Sequence, residues 1–399
     1  KIFHRHYSEK FVYYICAPMK KFLWLSVFVL TVFAHQSCNS KKTESAAAVD
    51  SNANVSEVKK LAVDADLTAF ARYIAGVHDA NNDSLEQSEF WKLHAAKTDL
   101  RWRLLMQNVG TPISTWVTEK NYLGSKAPKT LLYPFAGGDF FYANLFYPNR
   151  DTVIMIGLEP VGGEFGVKQV ESAKLEDYLT TLDRCMFYPH KLGFFRTLSM
   201  DDDFAHELMN GTFHTFLFYL ARNGFDLHYV EYFNVDAQGN SVAVEPGAEA
   251  KGLKIGYSNK SDKTVKQLVY ISQDISNTAN QKSPGTINYL KQRGSVVSFF
   301  KAASYLMYKD YFSDITNVVL GQSKIILQDD SGMPLAAMKQ GGFEAEVLGE
   351  YTKTINLFSN YFQKDMREEY VSKKPAKLPF TIGYNAEFGE CNLQLGTKK

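Results

Sequence analysis

The sequence predicts an α/β domain built on a mixed sheet. Two apolar runs, Thr130–Phe135 and Thr152–Leu158, are separated by just enough chain for a short crossover helix. Helical periodicity precedes and follows them, and the middle of the chain alternates in the manner of hairpins. Because those hairpins need no crossovers, an α+β arrangement is the near alternative.

The first 54 residues read as processing and tether. Residues 1–18 carry no structural pattern and are taken as upstream read-through before Met19. Lys20-Lys21 precede Phe22–Ala34, a 13-residue apolar run that is too short to span a bilayer and suits a signal-peptide core. His35-Gln36-Ser37-Cys38 follows. This segment, residues 19–37, resembles a bacterial lipoprotein signal, in which the cysteine is lipidated and becomes the new N-terminus. Ser37 is a suitable small residue, whereas His35 stands where an aliphatic residue is usual. The other reading is an ordinary secretory signal with Cys38 an incidental thiol. Residues 38–54 are small and polar, a flexible tether, and residues 55–399 form a single globular domain.

Within that domain, Leu61–Val77 and Ser88–Val109 have apolar residues at helical spacing, a lead-in anchored by Trp91 and Trp102. The two apolar runs then enclose Gly137-Gly138-Asp139 and a short aromatic segment, a possible β-α-β unit over 130–158. Helices are expected at Glu171–Asp183 and Asp201–Asn223, the latter closed by Gly224. Asp226–Val235, Gly252–Tyr257 and Val265–Ile271 read as an antiparallel meander spanning 226–271. Helical signals return at Pro284–Gln292 and Phe300–Leu320. A strand is expected at Lys324–Gln328 and a helix at Ile355–Tyr370. Short runs at Phe380–Tyr384 and Asn392–Leu395 close the chain.

Composition excludes several classes. The chain has 44 Lys and Arg against 43 Asp and Glu, and five of those basic residues belong to the segment removed with the signal. No basic face is implied and a nucleic-acid partner has no electrostatic support. The 29 Phe and 23 Tyr suffice for a large core. Beyond Cys38 the mature chain has Cys185 and Cys391, whose pairing the sequence leaves open.

The phrases YPFAGGDFFYA, GLEPVG, KAASYLMYKDYF and LQDDSGMP resemble a family of exported bacterial lipoproteins. The resemblance spans most of the mature chain and implies one domain, with no particular activity, cofactor or catalytic set.

Candidate chemistry gathers at predicted strand ends. If the first two strands are parallel, Asp139 and Glu159 lie beyond their carboxyl ends, where open α/β sheets bind ligands. Three readings compete. The acids cap and hydrogen-bond local backbone, or they form a paired-carboxylate site, or Glu159 takes the ribose-binding position of a nucleotide fold. Ala-Gly-Gly-Asp-Phe is not the GxGxxG turn of such folds, and Asp139 sets a negative charge where a pyrophosphate would rest. Asp329 and Asp330 end a later strand and either polarise a water or form Asx turns. Gly137, Gly138, His190, Arg196 and Lys301 are candidate ligand-binding residues, with His190 placed in a loop after Pro189. No HExxH, zinc spacing or GxSxG occurs, so no metal or cofactor is expected. The function expected is that of a lipid-anchored envelope protein. It is held to the membrane through Cys38 and binds a glycan, peptide or protein there. The alternatives are an extracytoplasmic hydrolase or transferase using Asp139, Glu159 and Asp329/Asp330, or a degenerate nucleotide-binding-like fold without cofactor.

Overall fold

The apolar runs become the centre of a ten-stranded mixed sheet. Its strands are β1 (Thr130–Tyr133), β2 (Thr152–Gly157), β3 (Phe225–Val235), β4 (Ser241–Ala243) and β5 (Gly252–Asn259). Then come β6 (Lys266–Ser272), β7 (Val296–Phe300), β8 (Ser323–Gln328), β9 (Phe343–Gly349) and β10 (Asn392–Lys398). The spatial order is β4-β3-β5-β6-β2-β1-β7-β8-β10-β9. The computed structural model describes residues 62–194, 204, 207–247, 249–262 and 264–398. The expected signal and tether, Cys38 and Arg196 lie outside the described residues. Contacts gather Val58–Lys399 into one compact unit.

Five neighbours, β6-β2-β1-β7-β8, are parallel, and antiparallel strands flank them on both sides. Parallel strands are covered on both faces, which is why they read as continuous apolar runs. On β1, Leu131 and Tyr133 enter one core and Leu132 the other, all at most 1 % exposed. Burying each such leucine contributes about 1.5–3 kcal/mol.

One face is covered by α1 (Ala65–Ile74), α2 (Glu89–Leu105), α3 (Thr111–Lys120), α4 (Phe140–Phe146), α5 (Ser172–Leu192) and α6 (Phe213–Arg222). The other carries α7 (Asn277–Lys282), which packs on α8 (Gly285–Lys291) and α9 (Ser313–Gln322), and is covered by α8, α9 and part of α10 (Leu335–Gln340). A last helix, α11 (Lys364–Lys373), packs with Val347 and Tyr351 near the β9 edge. Local chemistry sets several boundaries. Asp64 caps α1 by accepting from the Leu67 amide (3.0 Å), and Ser88 caps α2 by accepting from the Trp91 amide (3.1 Å). Gly193, at φ 76°, closes α5 in the left-handed conformation.

The β-α-β unit and the meander form as the sequence predicts. Elsewhere the elements differ. Val296–Phe300 is a central strand, and the helix expected at Phe300–Leu320 shrinks to Ser313–Gln322. β9 is a strand the sequence reading does not contain, and Phe380–Tyr384 forms no strand. Ile355–Tyr370 divides into a 3₁₀ stretch, Asn356–Tyr361, and α11. Within the expected Asp201–Asn223 helix the described helix is Phe213–Arg222. α5 runs on through Pro189, so His190 is helical rather than in a loop. Cys185 and Cys391 are both buried and are not joined to each other.

Candidate functional site

The topology creates a switch point between β1 and β7. The chain leaves β1 through α4 on one face to reach β2, and leaves β7 through α9 on the other to reach β8. Connections that part to opposite faces leave a crevice beyond the carboxyl ends of the two strands. Residues 134–139 and 301–305 border it. Of the seven described non-glycine residues with positive φ, four lie there: Phe135 (60°), Ala302 (50°), Ser304 (53°) and Tyr305 (55°). Strain of this kind costs of order 1–3 kcal/mol per residue and persists only where the surroundings enforce it.

An ion pair fills the crevice. Lys301 Nζ lies 2.9 Å from Asp139 Oδ2, with side-chain exposures of 1 % and 4 %. Tyr133 Oη donates to the same oxygen at 2.8 Å. Lys301 also donates to the Gly193 carbonyl at the end of α5, and its Nζ sits 4.0 Å from the centre of the Tyr142 ring. Burial pushes the Asp139 carboxyl above its ordinary range, while Lys301 and the Tyr133 hydroxyl pull it back. Asp139 stands at the N-cap position of α4 but makes no capping hydrogen bond.

Glu159 is turned back over the glycines. The Leu158 amide donates to its Oε2 (3.1 Å), and Tyr270 Oη on β6 donates to its backbone oxygen (2.8 Å). A Cβ on Gly137, already at φ 53°, would meet Glu159 Oε1 at 3.3 Å; one on Gly157 would meet Oε2 at 2.5 Å. Glycine is required at both positions for the carboxylate to lie there. Gly138 is likewise buried in this turn.

Beyond β8, Asp329 and Asp330 diverge. Asp329 accepts from the Ala302 amide (2.8 Å), the Ser331 amide (3.0 Å) and the Ser331 hydroxyl. It thereby fixes the strained loop after β7, where Ser331 Oγ also receives the Ala303 amide at 2.7 Å. Asp330 accepts from the Tyr305 hydroxyl and from Asn392 Nδ2 (3.0 Å). Burial raises both carboxyls, and the charge of Asp329 adds to the rise of Asp330, which reaches about 7. Lys301 acts electrostatically on Asp329, and Tyr133 is influenced by both Asp139 and Asp329. The structure thus brings Asp139, Lys301, Asp329 and Asp330 into one electrostatic cluster, with Glu159 beside Gly137.

His190 stands apart from these carboxylates. Its Nε2 is buried without a hydrogen-bond partner, its ring lies against Phe218 and Tyr219, and burial with Arg101 nearby pushes its pKa down to about 4. The hydroxyl partners Tyr133, Tyr270 and Tyr305 are absent from the sequence reading of the site, whereas Ser331-Gly332 after Asp330 fits the Asx-turn reading of that loop.

The residues do not fit a nucleotide cofactor. Asp139 places a carboxylate at the position of a pyrophosphate, Lys301 is committed to that carboxylate, and Glu159 is committed to Tyr270 and local backbone. Asp139, Glu159, Asp329 and Asp330 are only 2–3 % exposed. Two surface depressions, of ≈ 400 and ≈ 260 Å³, are lined by none of the candidate residues. On the surface, His78, Asp83 and Glu86 bring ligand-type atoms within 4.8 Å of one another. Glu86 is committed there to His78 (2.6 Å) and to the Asp79 amide (3.0 Å), and so staples that loop. No family model matches the chain, and no curated protein matches it.

Proposed function

We propose that this chain is a lipid-anchored envelope protein whose doubly wound body binds a ligand or partner at the membrane surface without a nucleotide cofactor. The buried Asp139–Lys301 pair carries the cofactor-free part of the proposal, because it occupies the crevice in which such folds hold a nucleotide. The pair acts as an internal clasp between β1, β7 and the end of α5. A ligand that stabilises the native state raises the melting midpoint by mass action. Nucleotides, dinucleotides and S-adenosylmethionine are therefore expected to leave the midpoint unchanged, whereas a glycan or peptide partner raises it. A midpoint raised by a nucleotide and restored to baseline by Glu159→Gln would overturn the cofactor-free reading. The anchor is tested separately by metabolic labelling with palmitate, with the label expected to vanish in Cys38→Ser.

A hydrolase or transferase is the second reading. It is favoured by the convergence of Asp139, Asp329, Asp330 and Lys301 beside strained backbone, since perturbed carboxyls cluster at catalytic sites. An envelope glycan or ester hydrolysed by wild type and spared by Asp330→Asn would support it. No turnover across such a panel, with Asp330→Asn folded, would remove it.

A further inference from the structure

Three of the molecule's exposed large apolar side chains share one helix: Leu93 (70 % exposed), Leu100 (51 %) and Leu104 (48 %) on α2. At the α-helical turn they fall within an arc of about 40°, while Trp91, His94, Thr98 and Leu105 turn into the protein. The stripe is bordered by cations on both sides, Lys97 and Arg101 on one and Lys92 and Arg103 on the other. Three acids lie along the same flanks. Glu89 pairs with Lys92 (2.9 Å), Asp183 of α5 takes both Lys97 (2.6 Å) and Arg101, and Asp99, on the Lys92–Arg103 side, pairs with Arg222. Arg103 is exposed and has no acidic partner among the described residues. The remaining exposed apolar side chains are scattered over other elements and need no special account.

We infer that this face of α2 docks on a bilayer surface rich in anionic headgroups. Leucines in a narrow stripe insert at the boundary between headgroups and acyl chains, and long basic side chains on either flank reach the phosphates. A second copy is a poorer occupant, because a helix pair would set cation-bordered stripes against each other. The inference extends the membrane-surface reading by naming the face that meets the lipid. It does not depend on the anchor, and the two can fail separately.

The test uses Val58–Lys399, which holds both cores and every described strand, in co-sedimentation with vesicles. The body should pellet with vesicles containing about one-third phosphatidylglycerol and stay in solution with pure phosphatidylcholine, and salt should release it. Leu100→Ser/Leu104→Ser and, independently, Lys92→Glu/Arg103→Glu should each reduce binding at least about tenfold with an unchanged melting midpoint. Val371→Ser, which removes an exposed apolar side chain on α11, should bind as wild type. Equal binding to both vesicle types, or wild-type binding by the α2 variants, would overturn the inference. So would a dimer in sedimentation velocity that Leu100→Ser dissolves, which would give the stripe to a second copy.

Discussion

Asp139 and the Asp329–Asp330 pair lie beyond the carboxyl ends of parallel strands in the same sheet and are equally buried, yet they meet the cost of burial differently. Asp139 is answered by a full positive charge from another strand, so its interaction holds β1, β7 and the end of α5 together. Asp329 and Asp330 are held chiefly by amides and hydroxyls from neighbouring loops, and they shape the turn after β7. The first arrangement is a clasp between distant parts of the chain. The second is a cradle whose strength depends on protonation.

The clasp should give the largest effect. Lys301→Met leaves Asp139 buried without its counter-charge and should cost about 3–5 kcal/mol in urea unfolding. Adding Asp139→Asn to Lys301→Met should recover most of that loss, because the uncompensated charge is then gone while Tyr133 keeps an acceptor. Additive losses in this double-mutant cycle would mean that the two residues are not coupled and that the crevice is held shut by packing alone.

The cradle should respond to pH. The Asp330 carboxyl, raised to about 7 in the folded protein, keeps a proton that the unfolded chain has already lost at lower pH. Its contribution is therefore full below the unfolded carboxyl value and falls as pH rises through about 7, at up to about 1.4 kcal/mol per pH unit. Asp330→Asn removes this titration. The wild type should lose stability relative to the variant between about pH 4 and pH 7 and track it above that window. Parallel profiles across the whole range would show that Asp330 titrates normally.

Two glycines compare the neighbourhoods more finely. Gly383, at φ 74°, faces Asp329 Oδ2, an oxygen already fixed by the Ala302 amide. Gly137, at φ 53°, faces the end of the Glu159 side chain at 3.3 Å. Both replacements by alanine incur left-handed strain of about 1–2 kcal/mol. Gly383→Ala should cost about 1 kcal/mol more in unfolding free energy, because a pinned carboxylate cannot step aside as the Glu159 end can. Equal losses would mean that Asp329 is as free to move as Glu159.

The same contrast separates what the sequence discloses from what it does not. β1, α4 and β2 are legible because Thr130–Phe135 and Thr152–Leu158 are apolar runs stopped by Gly-Gly-Asp and by Pro160. Asp139 and Glu159 can then be placed at strand ends before any coordinates. β7 is not legible, because Val296–Phe300 passes without a turn signal into Lys301-Ala302-Ala303-Ser304, residues that locally suit a helix. In the fold those residues are held instead by Asp329 and Ser331, groups supplied from the end of β8. Lys301 reads as an anion binder from its chemistry, but nothing local says that its anion is Asp139. Register between strands far apart in sequence decides that contact.

The smallest effect tests whether the cradle imposes the strain beside it. Ala302 is held at φ 50° while its amide donates to Asp329 at 2.8 Å, and its carbonyl accepts from Tyr384 Oη at 2.8 Å. Glycine adopts that backbone without penalty and keeps both bonds, although it also enlarges the freedom of the unfolded chain. Ala302→Gly should therefore raise unfolding free energy by about 0.5–1 kcal/mol in wild type. Combined with Asp329→Asn, which loosens the hold on the Ala302 amide, the gain should shrink, because the loop can then relax toward ordinary helical angles. A loss in wild type would mean that Ala302 bears no strain. An undiminished gain in the Asp329→Asn background would move the source of the strain from Asp329 to the Tyr384 contact.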